Sequence, residues 1–141
     1  MKKTILLYSL LLIASQSAHA ICPKSDVSLC TMVRDSDWVV FGSVAAKQSV
    51  SDEDDPQGVA GWLYHIMVKT SYLGSAPNNM VIYSENTTSR VMLDSGKSYF
   101  VFATKNFEGM PEIANLCIPY TELTYSKDFE DKILSCLQDK K

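Results

Sequence analysis

Glycine and proline are scarce, six and five among 141 residues. That excludes a collagen-like or low-complexity chain and leaves one ordinary globular domain as the default. Basic residues are also short. Beyond the first 20 residues there are 11 Lys and Arg against 16 Asp and Glu, net −5. A nucleic-acid partner needs clustered cations to displace phosphate counterions, so that class is disfavoured. No Cys-x-x-Cys occurs, which weakens thiol–disulfide exchange. Histidine is nearly absent: past residue 20 only His65 remains as an ordinary base. No glycine-rich turn surrounds any serine, so a nucleophile–base pair of the hydrolase kind is not announced. No apolar run reaches the roughly 20 residues needed to span a bilayer.

The N-terminus carries a different signal. Lys2 and Lys3 precede an apolar run from Ile5 to Ala14, and the stretch ends in Ala18-His19-Ala20. A short basic start, an apolar centre and small residues around the last position predict a secretory signal over 1–20, cleaved before Ile21. The compact Lys-Lys start points to a bacterium. The expected setting is therefore periplasmic or extracellular, with 21–141 as one domain. Cys22 lies two positions past the expected cleavage site, not directly after a lipobox.

An exported chain meets an oxidising environment, and Cys22, Cys30, Cys117 and Cys136 form an even set. Two disulfides are expected, with three pairings open. Seven residues separate the early pair and 18 the late pair, so early-to-late bridges would join the chain ends. In the chain-entropy account a loop of about 100 residues stabilises by roughly 4.7 kcal/mol, more than a short local loop. No metal set or cofactor motif is read from these residues.

Residue patterns give the elements. Leu29, Met32 and Val33 repeat at helical spacing within Asp26–Arg34, with Ser25 or Asp26 as cap. Asp37–Lys47 reads as a strand, with Gly42 marking a bulge or bend. In Gly61–Thr70, Trp62, Tyr64, Ile66 and Val68 alternate with Leu63, His65, Met67 and Lys69, a strand with one large apolar face. Met80–Ser84, Tyr99–Ala103 and Ile113–Ile118 are further strands, separated by turn signals at 94–97 and 106–110. Ser126 caps a final helix whose apolar stripe is Phe129, Ile133, Leu134 and Leu137, with Cys136 beside it. Without crossover helices, these five strands predict a mainly β fold: a five-stranded OB-like Greek-key barrel with a short N-terminal and a C-terminal helix.

The order of these pieces resembles a known family. An early cysteine segment precedes Asp37-Trp38-Val39-Val40-Phe41-Gly42-Ser43-Val44. Then follow Val68-Lys69-Thr70-Ser71-Tyr72-Leu73-Gly74, Val81-Ile82-Tyr83, and Gly96-Lys97-Ser98-Tyr99 opening an apolar strand. Leu116-Cys117 and the helix holding Cys136 complete the series. From Cys22 to Leu137 this resembles the netrin-like, or tissue-inhibitor-of-metalloproteinases-like, OB-fold domain. The resemblance implies bridges Cys22–Cys117 and Cys30–Cys136. The family's third bridge has no counterpart, since the Cys-x-Cys start and a cysteine near Thr87–Arg90 are missing.

The animal inhibitors of that family set the amine and carbonyl of a terminal cysteine on a protease zinc. Here Ile21 precedes Cys22, which moves the amine by about 3.5 Å, far outside the ~2.0–2.1 Å reach of a zinc–nitrogen bond. The expected function is therefore a non-enzymatic module binding a protein partner. The alternative is a metalloprotease inhibitor acting through the edge Ile21, Cys22, Pro23.

Other residue groups have plainer readings. Asp52, Glu53, Asp54 and Asp55 are carboxylates of the kind Ca²⁺ takes, but Gln57 stands where an EF-hand loop needs glycine, so a solvated acidic loop is expected. Asn86-Thr87-Thr88 is a sequon with meaning only in a eukaryotic secretory route. Glu108 and Glu112 flank a Gly-Met-Pro turn and read as surface. Trp38, Trp62, Tyr64 and Tyr72 form either a ligand-facing aromatic patch or core, with core expected for at least two.

Overall fold

A computed structural model describes residues 28–56, 58–87, 91–106, 108–113 and 125–138. The expected signal segment, the edge Ile21–Pro23, the bridge Cys22–Cys117 and the end of the last strand lie outside them. The elements run α1 (Leu29–Asp35), β1 (Trp38–Ser51), β2 (Val59–Leu73), β3 (Asn79–Glu85), β4 (Ser98–Lys105), β5 (Pro111–Ile113) and α2 (Lys127–Gln138). The strands close into a barrel in the order β1-β2-β3-β5-β4, β4 returning to β1. All pairings are antiparallel except β3 with β5, at Tyr83–Glu112. This is the expected OB-like five-stranded barrel with a helix toward each end.

Two apolar cores share β1 and β4. Inside the barrel lie Val40, Val44, Tyr64, Ile66, Met80, Ile82, Leu93, Tyr99, Val101 and Ile113. Outside, Met32 and Val33 of α1 and Phe129, Ile133 and Cys136 of α2 pack on Val39, Phe41, Phe100 and Phe102. Burial on both faces explains the unbroken apolar runs Val39-Val40-Phe41 and Tyr99 to Ala103. Phe100 is the hinge of the outer core: its ring centroid lies 4.8 Å from that of Phe41 and 5.0 Å from that of Phe129. Barrel hydroxyls hold the segment before β4. Leu93 and Asp94 donate their amides to the Tyr64 and Tyr99 hydroxyls at 3.4 and 3.0 Å, and Ser84 donates to the Val91 carbonyl.

Several boundaries differ from expectation for local reasons. Helix α1 starts at Leu29, three residues after the expected Asp26, because Ser28 is the cap and its Oγ accepts the Thr31 amide at 3.1 Å. Strand β1 continues past Lys47 through polar residues to Ser51. That part of the β1–β2 hairpin projects into solvent, so its sequence lacks an apolar face, and the β2 ladder alone holds it. In α2 the buried row is Phe129, Ile133 and Cys136, at i, i+4 and i+7, whereas Leu134 is 40% exposed. One residue along a helix turns about 100°, which carries Leu134 off the row that Ile133 anchors.

Gly42 behaves as its sequence position indicates. A register shift occurs between Phe41 and Gly42. A Cβ there would stand 2.6 Å from the Met67 carbonyl oxygen and 2.7 Å from Ile66 Cγ2. The strand bends because β2 comes too close for any side chain.

Candidate functional site

Cys30 and Cys136 are joined, with Cα atoms 4.9 Å apart across 106 residues of chain. The bridge ties α1 to the last turns of α2 over the outer core, the pairing that the family resemblance implies. A second tie is polar. Tyr72 on β2 donates its hydroxyl to Glu130 Oε1 at 2.7 Å, and Tyr125 and Lys127 donate to Oε2 at 2.9 and 3.1 Å. These three donors hold the Glu130 carboxyl below its ordinary range, Tyr72 foremost. Burial, followed by the bond to Glu130, pushes the Tyr72 phenol well up. One wall of the barrel is thus sealed by both helices.

The wall formed by the outward residues of β2 and β3 differs. Tyr64 and Ile82, and Ile66 and Met80, are cross-strand pairs that point inward. The alternate set points outward: Leu63 opposite Tyr83, His65 opposite Val81, Met67 opposite Asn79. Leu63, His65, Val81 and Tyr83 are half-buried, and Met67 is 57% exposed. Ala46 and Gln48 of β1 continue this surface beside His65 and Leu63. Its margin is acidic. Glu112 on β5 stands opposite Tyr83, and its carboxyl is pushed up by burial and then by the nearby Glu85. Burial, then Glu85, Glu112 and Asp52, raise the Tyr83 phenol, whose hydroxyl donates to the Ala60 carbonyl at 3.0 Å. The result is a sheet face in which Leu63, Met67, Val81 and Tyr83 stand beside His65, Asn79 and Gln48, with Glu85 and Glu112 at its margin.

The sequence candidates distribute as follows. Asp52 and Asp55 cap their own loop, accepting the amides of Asp54 and Val59. Among the described residues no three His, Cys, Asp or Glu side chains converge as a metal site. His65 lies in the middle of the outer β2–β3 face. Glu108 is exposed on its turn, but Glu112 is a half-buried strand residue, correcting its reading as plain surface. That turn is local in origin: Asn106 Oδ1 accepts the amides of Glu108 and Met110, and pairing resumes at Pro111. Asn86 is also half-buried and donates Nδ2 to the Val59 carbonyl at 2.8 Å, and Thr88 lies outside the described residues.

The four aromatic candidates do not form one patch. Tyr64 is fully buried in the barrel, and Trp38 and Trp62 pack against the same core. Lys47 lies 5.1 Å above the Trp62 ring and Lys105 5.5 Å above Trp38. Tyr72 belongs to the outer core. Sequence reasoning missed Glu130 as the tether of α2 and Met67 as the exposed centre of the open wall. The signal for Met67 was present, a large apolar side chain on the mixed face of an alternating strand.

Among the described residues no helix is long and apolar enough to cross a membrane. Compared with known protein families and with characterised proteins, the chain finds no match in either set.

Proposed function

We propose that this chain is an exported, disulfide-stabilised binding module of the netrin-like type that holds a protein partner on the outer wall of β2 and β3. Residues 21–141 are its mature single domain, working in the periplasm or outside the cell. The carrying observation is Met67, 57% exposed beside half-buried His65 and Val81 on the wall that neither helix covers. Exposed apolar clusters rimmed by polar groups are typical of protein contact surfaces. The rim of Glu85 and Glu112, and the net −5 of residues 21–141, favour a partner with a basic margin around an apolar centre. The OB-like strand order and the Cys30–Cys136 bridge support the family reading.

The test uses the processed, oxidised protein immobilised against exported proteins of its own source. Specific capture of a partner, weakened by added salt and abolished by both Met67→Asp and Val81→Asp with melting unchanged, is the expected result. Capture indifferent to both substitutions overturns the assignment of this wall. Stoichiometric inhibition of a zinc protease, lost when residues are added before Ile21, would instead establish the inhibitor reading.

A further inference from the structure

The two flanks of β1 are unequally used. β2 occupies one flank from Val39 to Ser51. β4 occupies the other only from Trp38 to Ser43. The turn before β4 then takes Val44, whose amide donates to the Lys97 carbonyl at 2.9 Å and whose carbonyl accepts the Gly96 amide at 2.7 Å. From Ala45 to Ser51 no backbone group among the described residues occupies that flank. At about 3.3 Å per residue this is an open strand edge of roughly 23 Å.

The direction of its backbone groups follows from β2. The Ala60 carbonyl accepts the Asn86 amide, and the Val68 amide donates to the Asn78 carbonyl. Even positions of β2 therefore turn toward β3, and Gly61, Leu63 and His65 turn toward Val50, Gln48 and Ala46 of β1. Lys47 and Ser49 stand opposite the even residues Tyr64 and Trp62. Their N–H and C=O groups consequently face the open flank.

We propose that this edge pairs antiparallel with the same edge of a second copy of the chain, about a dyad at Gln48, joining the two β1–β2 hairpins into one four-stranded sheet. With that register, Lys47 of each copy meets Ser49 of the other as a hydrogen-bonded pair, giving four inter-copy backbone bonds from the groups already aimed outward. Gln48 meets Gln48, and Ala46 meets Val50. A dyad at Lys47 would instead set two ammonium groups directly opposite. Charge favours the antiparallel approach. The tip Asp52-Glu53-Asp54-Asp55 of one copy comes alongside the 94–97 turn of the other, where Lys97 and Lys47 outnumber Asp94. Asp94 senses both, its carboxyl lowered by the hydrogen bond from Lys97 and further by Lys47. The pairing runs through the backbone edge of β1, at the margin of the Met67 wall where Ala46 and Gln48 lie, and does not use Met67 or Val81, so its failure leaves the partner reading standing.

Sedimentation equilibrium of the disulfide-intact protein from micromolar to millimolar concentrations tests this directly, with a monomer–dimer equilibrium expected. Ser49→Pro removes the amide aimed at the open flank and leaves the β2 ladder complete. It is expected to weaken dimerisation about tenfold or more, through two lost bonds per dimer, at unchanged far-UV dichroism. Gln48→Cys should cross-link two copies under a mild oxidant, because a non-hydrogen-bonded pair sets its Cα atoms about 4.5 Å apart. Ala46→Cys should not. A wild-type chain that stays monomeric at millimolar concentration overturns the proposal, and so does a dimer in which Gln48→Cys fails to cross-link. If Ser49→Pro does not fold, the cross-linking pair decides alone.

Discussion

Removing the Cys30–Cys136 bridge measures how the chain ends are held and whether a second covalent tie exists. The substitution is Cys30→Ala with Cys136→Ala, which keeps the buried site at Cys136 apolar. Taken alone, a bridge across 106 residues restricts the unfolded chain by about 4.8 kcal/mol. If Cys22–Cys117 is also closed, the circuit completed by Cys30–Cys136 is far shorter. It comprises the eight steps from Cys22 to Cys30 and the 19 from Cys117 to Cys136, and a loop of about 27 residues is worth about 3.6 kcal/mol. The same deletion should therefore cost more in a Cys22→Ala/Cys117→Ala background than in the wild type. Urea unfolding of the four proteins gives both numbers, with a thermal shift of roughly 10–20 °C expected for the deletion. A loss under about 1 kcal/mol in both backgrounds would refute the argument, leaving packing alone to hold the helices. Equal large losses in both would mean that Cys22 and Cys117 are not joined.

Three further outcomes follow from the packing and titration of the fold. Phe100→Ala opens the outer core between Phe41 and Phe129 and should cost about 3–5 kcal/mol in urea unfolding; a cost below 1.5 kcal/mol would show that this core is not close-packed. Glu130 has its folded value below the unfolded carboxylate value of about 4.3. Its contribution is present above that value and is lost as pH falls through the lower folded one, so Glu130→Gln should flatten the acid side of the stability–pH curve. An unchanged acid slope would count against the Tyr72–Glu130 tether. Glu112 runs the other way, because its raised folded value penalises the charged form as pH rises. Glu112→Gln should raise the melting temperature at pH 7 and lose that advantage below pH 4, and no gain at pH 7 would contradict the penalty that burial and then Glu85 place on its charged form.

Much of the architecture was legible because period and length agreed. The Trp62, Tyr64, Ile66, Val68 alternation marks the inner row of β2. The unbroken run Tyr99 to Ala103 marks a strand covered on both faces, a reading that needs the helices as a second layer. Gly42 signalled its bulge through the one property a sequence states openly, the absence of a side chain. Boundaries were harder. Lys47 to Ser51 carries no apolar face, and only the ladder to Val59–Tyr64 makes it a strand. In α2, counting apolar residues selected Leu134, whereas the geometry of one helical turn selected Cys136.

The candidate surface was less legible, and the reason is physical. An inner face is specified by burial, so its residues must be large and apolar, and the pattern repeats. An outer face is specified only by what it meets, and Leu63, His65, Met67 and Lys69 are equally compatible with solvent and with a partner. What separates the two is coverage, which depends on where distant elements settle. Helices α1 and α2 settle on β1 and β4 by packing on Val39, Phe41, Phe100 and Phe102, while the Cys30–Cys136 bridge joins them to each other and the Tyr72–Glu130 bond ties α2 to the end of β2. They thereby leave the β2–β3 wall open. The packing and the ties that stabilise one side of the barrel thus assign the other side its exposure. Freeing α2 through Tyr72→Phe in a Cys30→Ala/Cys136→Ala chain should uncover Phe100 and Phe129 while leaving partner capture through Met67 intact.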